Sequence, residues 1–133
     1  MSARRDELTR IAARLFAEKG YQGTSLADLA GELGMQKPSL YHHIASKEDL
    51  LWEVAAEGAA AFHAGLDAVP EREPAVEKIR LALRAHLAVV AGQLDVATVF
   101  TREWRYLEGE RALEFLAERR RYEERIRALF REG

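Results

Sequence analysis

Residues 25–51 read SLADLAGELGMQKPSLYHHIASKEDLL. Leu26, Leu29, Ala30 and Leu33 form one helical stripe, and Gly34 ends it as a left-handed-tolerant stop. Ser25 stands where an N-cap belongs, with Asp28 three residues on as a variant capping box. A second, short helix is expected from Pro38, which is tolerated in a first turn, to about Ile44, with Leu40 and Ile44 facing inward. Ser46 and Asp49 repeat the cap pattern for a longer helix through Leu50, Leu51, Val54, Ala61, Phe62 and Leu66. Two short helices joined by the tight, Gly-containing turn "GMQK" make a helix-turn-helix.

The segment between the two apolar stretches is rich in donors and acceptors. In a helix-turn-helix the first helix crosses the DNA backbone and the second enters the major groove. A helix with that task presents polar groups to water, because base edges and phosphates replace the water on binding. Gln36, Lys37, Ser39, Tyr41, His42 and His43 supply such a face. The alternative is a short solvated surface helix. Adjacent histidines on a helix point about 100° apart, and no ligand partner stands at i+4, so His42 and His43 are poor metal ligands.

Outward from this stretch the pattern stays helical. Leu8, Ile11, Ala12, Leu15 and Phe16 precede a stop at Gly20, and "YQGTS" is a turn. After the Pro-bracketed break "VPEREP" (69–74), a fifth helix is expected with Val76, Ile79, Leu83, Leu87, Val90 and Leu94 facing inward. Asp95 is the expected cap of a sixth, running through Val96, Val99, Phe100, Trp104 and Leu107. Beyond Gly109 a seventh carries Ala112, Phe115, Leu116, Tyr122, Ile126, Leu129 and Phe130. The expected class is all-α, with about seven helices.

The 133 residues are 48% hydrophobic and 32% charged, with net charge −2 and no cysteine. This composition fits a folded chain with one modest core. It excludes disulfides and thiolate chemistry and suits a reducing cytoplasm, which is the expected location. No run approaches the roughly 18 apolar residues of a membrane span, so no membrane partner is expected. The overall charge does not announce nucleic acid; a DNA site must be a local patch. No catalytic triad, phosphate loop or paired-carboxylate motif stands out, so neither an enzyme nor a cofactor is expected.

The run LTRIAARLFAEKGYQGTSLADLAGELGMQKPSLYHHIASKEDLL, within residues 4–52, resembles the N-terminal domain of the tetracycline-repressor (TetR) family. "FAEKGYQGTS" and "LGMQKPSLYHHIASKEDLL" carry the resemblance, through Leu40, Tyr41, Ile44, Ser46, Lys47, Glu48, Leu50 and Leu51. Pro38 departs from the family's usual Gly, and Gln36 from its usual Ser or Thr. The resemblance implies a helix-turn-helix DNA-binding domain over 1–48 and an effector-binding and dimerisation domain over 49–133, with the fourth helix as connector. It implies Tyr41 and Lys47 as phosphate clamps. Gln36, Lys37, Ser39 and His42 are implied at or near base edges, and His43 at a phosphate or a helix end. Thr24 and Ser25 would touch the backbone, and Arg4 and Arg5 would form a basic arm. The family's chains usually continue through further helices that pair two subunits. Here the sequence ends at "RALFREG", so the expected second domain is incomplete, either as a fragment or through a rearranged dimer.

Glu103 shares the apolar stripe of the sixth helix and Arg119 that of the seventh. A buried lone charge costs several kcal/mol, so each needs a partner. The two are expected to pair, or one of them to face an effector; His86 is a weaker candidate of the same kind. The stretch 99–126, VFTREWRYLEGERALEFLAERRRYEERI, resembles more loosely the acyl-CoA-responsive subgroup. This implies an apolar tunnel drawn from Phe62, Leu66, Leu83, His86, Leu87, Val90, Phe100, Trp104, Phe115 and Tyr122, with Glu103 and Arg119 as charged candidates. The expected protein is thus a homodimeric repressor on a palindromic double-stranded operator, released by an apolar or acyl-CoA-like small molecule. A helical lipid-binding or protein-interaction module without DNA binding is the alternative.

Overall fold

The computed structural model describes residues 3–132. Its helices are α1 (Ala3–Lys19), α2 (Leu26–Leu33), α3 (Lys37–Leu40), α4 (Lys47–Asp67), α5 (Ala75–Gly92), α6 (Leu94–Thr101) and α7 (Gly109–Glu132), with a 3-10 turn at Glu103–Tyr106 between the last two. Among the described residues there is no strand, and no single helix is long and apolar enough to cross a membrane.

Both expected capping boxes form. Ser25 Oγ accepts from Asp28 N–H at 3.0 Å, and the Asp28 carboxylate accepts from Ser25 N–H at 2.9 Å. Ser46 and Asp49 repeat the exchange at 3.2 Å each way. Each box satisfies two amide donors that a helix start leaves open. Gly34 ends α2 at φ +68°, where a side chain would be strained.

Phe16, Leu8, Leu29, Leu40, Leu50, Leu51 and Val54 are fully buried and fasten α1, α2 and α3 to the start of α4. The same apolar cluster runs on through Phe62, Val99, Phe100 and Phe115. α4 is its spine and packs on α1, α5, α6 and α7. Two glycines let the helices close on it. A Cβ on Gly58 would stand 2.9 Å from Phe100 Cβ and 3.0 Å from the Val96 carbonyl, so α6 crosses there. Gly65 faces Ala85 of α5 in the same way, at 3.2 Å.

Five expectations are corrected. α3 is a single turn, and Tyr41–His43 continue as overlapping turns: His43 N–H bonds to Leu40 O at 2.9 Å and Ile44 N–H to the same carbonyl at 3.3 Å. Asp95 does not cap α6, because the chain turns by 108° between α5 and α6 at Gln93 and Leu94 already opens the next helix. α6 stops at Thr101 rather than continuing to Leu107, and the 3-10 turn re-aims everything after it. The expected α5 stripe faces the core only in part, through the half-buried Ile79 and Val90. Ala82 and Val89 are buried, while Val76, Leu83, Leu87 and Leu94 are exposed by 76, 48, 64 and 60%. Ala85 of α5 lies against Gly65 at the crossing with α4. Phe130 of α7, expected inside, is likewise exposed.

Candidate functional site

α3 is held from behind by Leu40 and Ile44, at 0 and 4% exposure. Its outer face carries Gln36, Lys37, Pro38, Ser39, Tyr41 and His42, all exposed, with His43 half-buried. Among the described residues, no hydrogen bond or ion pair within the protein engages the side chains of Gln36, Lys37, Ser39, Tyr41, His42 or His43. A contiguous set of donors and acceptors is thus fixed on a rigid back and left to solvent.

The flanking candidates behave differently. Thr24 is buried at 1% exposure, and its hydroxyl lies 2.8 Å from Gly20 O and 3.2 Å from Leu15 O. It closes the α1–α2 turn and does not reach the surface, which corrects the expected backbone contact. Ser25 is exposed, with its hydroxyl engaged in the cap. Arg4 and Arg5 do not form a free arm, because both lie in α1. Arg4 donates to Leu33 O at 3.0 Å, at the negative end of α2, and to Glu7 at 2.8 Å. Arg5 pairs with Glu53 of α4.

Lys47, implied as a phosphate clamp, is engaged within the protein. Its Nζ donates to Tyr21 O at 2.8 Å and Thr24 O at 3.0 Å, and sits 4.1 Å above the Tyr21 ring. Burial pushes its pKa down. The missed partner is Tyr21, which stacks on Tyr106 at 5.7 Å and meets Phe16 edge-on at 5.2 Å.

Glu103 and Arg119 do not pair. Glu103 is 4% exposed; its Oε1 accepts Tyr21 N–H at 2.6 Å and its Oε2 accepts Arg102 Nε–H at 2.7 Å. Arg102 also donates to Ala17 O in the last turn of α1, at 2.8 Å. Arg119 donates to Phe100 O at 2.6 Å and lies 4.8 Å over Trp104. The cause is the break after Thr101, which ends the helical phase that put both charges on one side. Nearby, Arg111 of α7 bonds Asp49 at 2.8 Å and holds its carboxyl below the usual range, assisted by the N–H groups of Ala45 and Ser46. The link from α6 to α7 therefore grips both the end of α1 and the start of α4.

The expected effector residues fall into two places. Phe62 lies 4.8 Å from His86, 4.7 Å from Phe100 and 5.4 Å from Tyr122, ring to ring, and the Tyr122 hydroxyl is 2.8 Å from His86 Nδ1. Phe115 extends this cluster from Phe100 at 5.4 Å and Trp104 borders it through Phe115 at 5.8 Å. Val90 packs at its edge, half-buried. Leu66 instead borders a hollow of about 340 Å³ between α4 and the end of α7. Leu83 and Leu87 are exposed. Glu103 lies at the α1 junction, away from this cluster. Sequence reading missed His63, which is 6% exposed in α4 and edge-on to Tyr122 at 5.6 Å.

Comparisons with known proteins agree with this architecture over most of its length. Residues 8–54 match the family model "Bacterial regulatory proteins, tetR family", and residues 72–133 match "Tetracyclin repressor-like, C-terminal domain". The HTH-type transcriptional repressor KstR2 of Mycolicibacterium smegmatis is 45% identical over 53 residues, which are 40% of this chain and 26% of the relative. The matched stretch thus spans about a quarter of that curated relative. Among solved structures, the TetR family transcriptional regulator PfmR from Thermus thermophilus superposes with a TM-score of 0.85 at 35% identity, over 96% of this chain and 70% of that one. AibR, solved in complex with isovaleryl coenzyme A and operator DNA, superposes with a TM-score of 0.88 at 30% identity, over 97% and 71%. With both family models matched and these regulators superposing on nearly the whole chain, the chain belongs to the tetR family of bacterial regulatory proteins.

Proposed function

We propose that this chain is the DNA-reading and effector-sensing part of a transcriptional repressor that binds a palindromic operator as a homodimer. The observation that carries the reading is the unengaged polar face of α3, backed by buried Leu40 and Ile44. Gln36, Lys37, Ser39 and His42 meet base edges, while Tyr41 and His43 meet phosphates; Pro38 fixes the entry of the helix. Ser25 sits near the backbone through the start of α2. Lys47 fastens the α1–α2 turn to α4 and sets the height of the reading face. The division falls at the start of α4, with residues 1–48 as the DNA part and 49–133 as the sensing and pairing part.

A small apolar molecule is the effector, seated against Phe62, His86, Phe100 and Tyr122. An acyl-CoA is one such class, supported by the AibR complex and by the half-buried Arg119 beside Trp104. Ligand occupancy biases the α6–α7 link, and Glu103, Arg102 and Arg111 pass that bias to α1 and α4. Release of DNA is then a population shift between two helix arrangements.

Selection of duplexes from a random pool, followed by affinity measurement across a salt series, tests this. The reading expects enrichment of an inverted repeat with half-sites about one helical turn apart. Recovery of no preferred sequence at any salt concentration would sink it.

A further inference from the structure

We propose that DNA binding by this chain is coupled to proton uptake at His42 and His43, so that operator affinity rises as pH falls through the histidine range. The inference rests on the repressor reading and adds a regulation to the same face. His42 and His43 follow the α3 turn, between buried Leu40 and Ile44. Their backbones are fixed, with His42 N–H on Ser39 O at 3.1 Å and His43 N–H on Leu40 O at 2.9 Å. Among the described residues neither imidazole makes a hydrogen bond or an ion pair. Consecutive positions on a helical turn diverge by about 100°, so the two rings reach different groups of a duplex.

The two rings line one open hollow of about 330 Å³ with Tyr41, Arg5 of α1 and Asp49 of α4. α2 also packs on α3 and contributes no residue to the hollow. Both charged neighbours already have a counter-ion. Arg5 pairs with Glu53 at 2.5 Å; Asp49 pairs with Arg111 at 2.8 Å and accepts the N–H groups of Ala45 and Ser46. Lys47 and Glu48, beside Asp49, turn to Tyr21 and Arg111 instead. On α3 itself the other charge is Lys37, exposed and pointing to solvent. The free protein therefore gives a charged imidazole no carboxylate of its own. A duplex does the opposite, bringing about one phosphate charge for every 1.7 Å of its axis. Opposite charge within about 4–6 Å favours the protonated ring. Guanine N7 and O6, both acceptors, act in the same direction on a ring that enters the groove.

A group that holds its proton more tightly in the complex than in the free protein adds affinity at low pH. That addition is complete below the free value, ordinarily about 6.5 for histidine, and is lost as pH rises through the value in the complex. Each ring raised by one unit contributes about tenfold in affinity. Neutral imidazoles still offer the duplex hydrogen bonds, so binding weakens with rising pH without vanishing.

Affinity of the 133-residue chain for its selected inverted repeat, measured by fluorescence anisotropy at fixed ionic strength, tests the coupling. Between about pH 8 and about pH 6 the parent is expected to gain about tenfold or more in affinity. The double variant His42→Gln with His43→Gln keeps hydrogen-bonding groups without the titration, and is expected to lose most of that gain. His63 and His86, the other two histidines, remain in it, so any effect of pH on the fold is common to both proteins. Calorimetric titration of the parent with the duplex at about pH 7, in buffers of low and high ionisation heat, counts the protons without a variant. A net uptake is expected. Binding by the parent that does not change with pH, an equal pH slope in the double variant, or no proton uptake would each overturn the proposal and leave the repressor reading standing. Failure of the parent to bind any duplex at any pH would overturn both.

Discussion

Glu103 Oε1 accepts the backbone N–H of Tyr21 at 2.6 Å, joining positions 82 residues apart. One buried carboxylate thus holds the turn that leads into α2, and through Arg102 it also holds the end of α1. Glu103→Ala removes the acceptor from both donors. Urea unfolding is expected to show a loss of about 1–3 kcal/mol. Arg102→Ala should cost less in the Glu103→Ala background than alone, because the shared bond is already gone. Equal costs in both backgrounds would mean that the two side chains do not act together.

Arg119 serves the end of α6 through the Phe100 carbonyl and the Trp104 ring. Arg119→Met is expected to cost about 1.5–3 kcal/mol, the range of a hydrogen bond to a charged group. Combined with Glu103→Gln, the two losses should add to within about 0.5 kcal/mol, as for separate sites. Recovery of stability in the double variant would restore the ion pair that the geometry denies.

His63 and His86 both have pKa values lowered from 6.5, first of all by burial. The unfolded chain gains these protons near pH 6.5, while the folded chain resists them until lower pH. The unfolded state therefore binds more protons in that window, and stability rises with pH through it. The contribution is complete above about pH 6.5 and is lost as pH falls toward the folded values. Unfolding free energy measured from about pH 7.5 to about pH 5.5 should decline, and the slope should flatten in His86→Phe. An unchanged slope would show that His86 titrates alike in both states.

The DNA-binding half is largely legible because its signals are local. Ser25 with Asp28, Ser46 with Asp49, and Gly34 each act within a few residues, and the structure forms all three. The second half depends on contacts between helices. In α5 the small Ala82 and Ala85 face α4, Ala85 against Gly65, whereas periodicity alone favours the larger Leu83 and Leu87. The end of α6 at Thr101 carries no Gly or Pro, so the helical phase read from sequence runs on to Glu103 and ties it to Arg119. The engagement of Lys47 with Tyr21 O and Thr24 O is not legible, because its partners are backbone carbonyls, which a sequence pattern does not display.

The central claim is that α3 reads DNA, and Lys37→Ala tests it most directly. Lys37 is exposed and its side chain engages none of the described residues, so the variant should melt like the parent. Affinity for the selected inverted repeat, measured by fluorescence anisotropy across a salt series, is expected to fall by about 1–3 kcal/mol, with relaxed preference at the contacted base pair. A variant with the parent's affinity, salt slope and sequence preference would contradict the account.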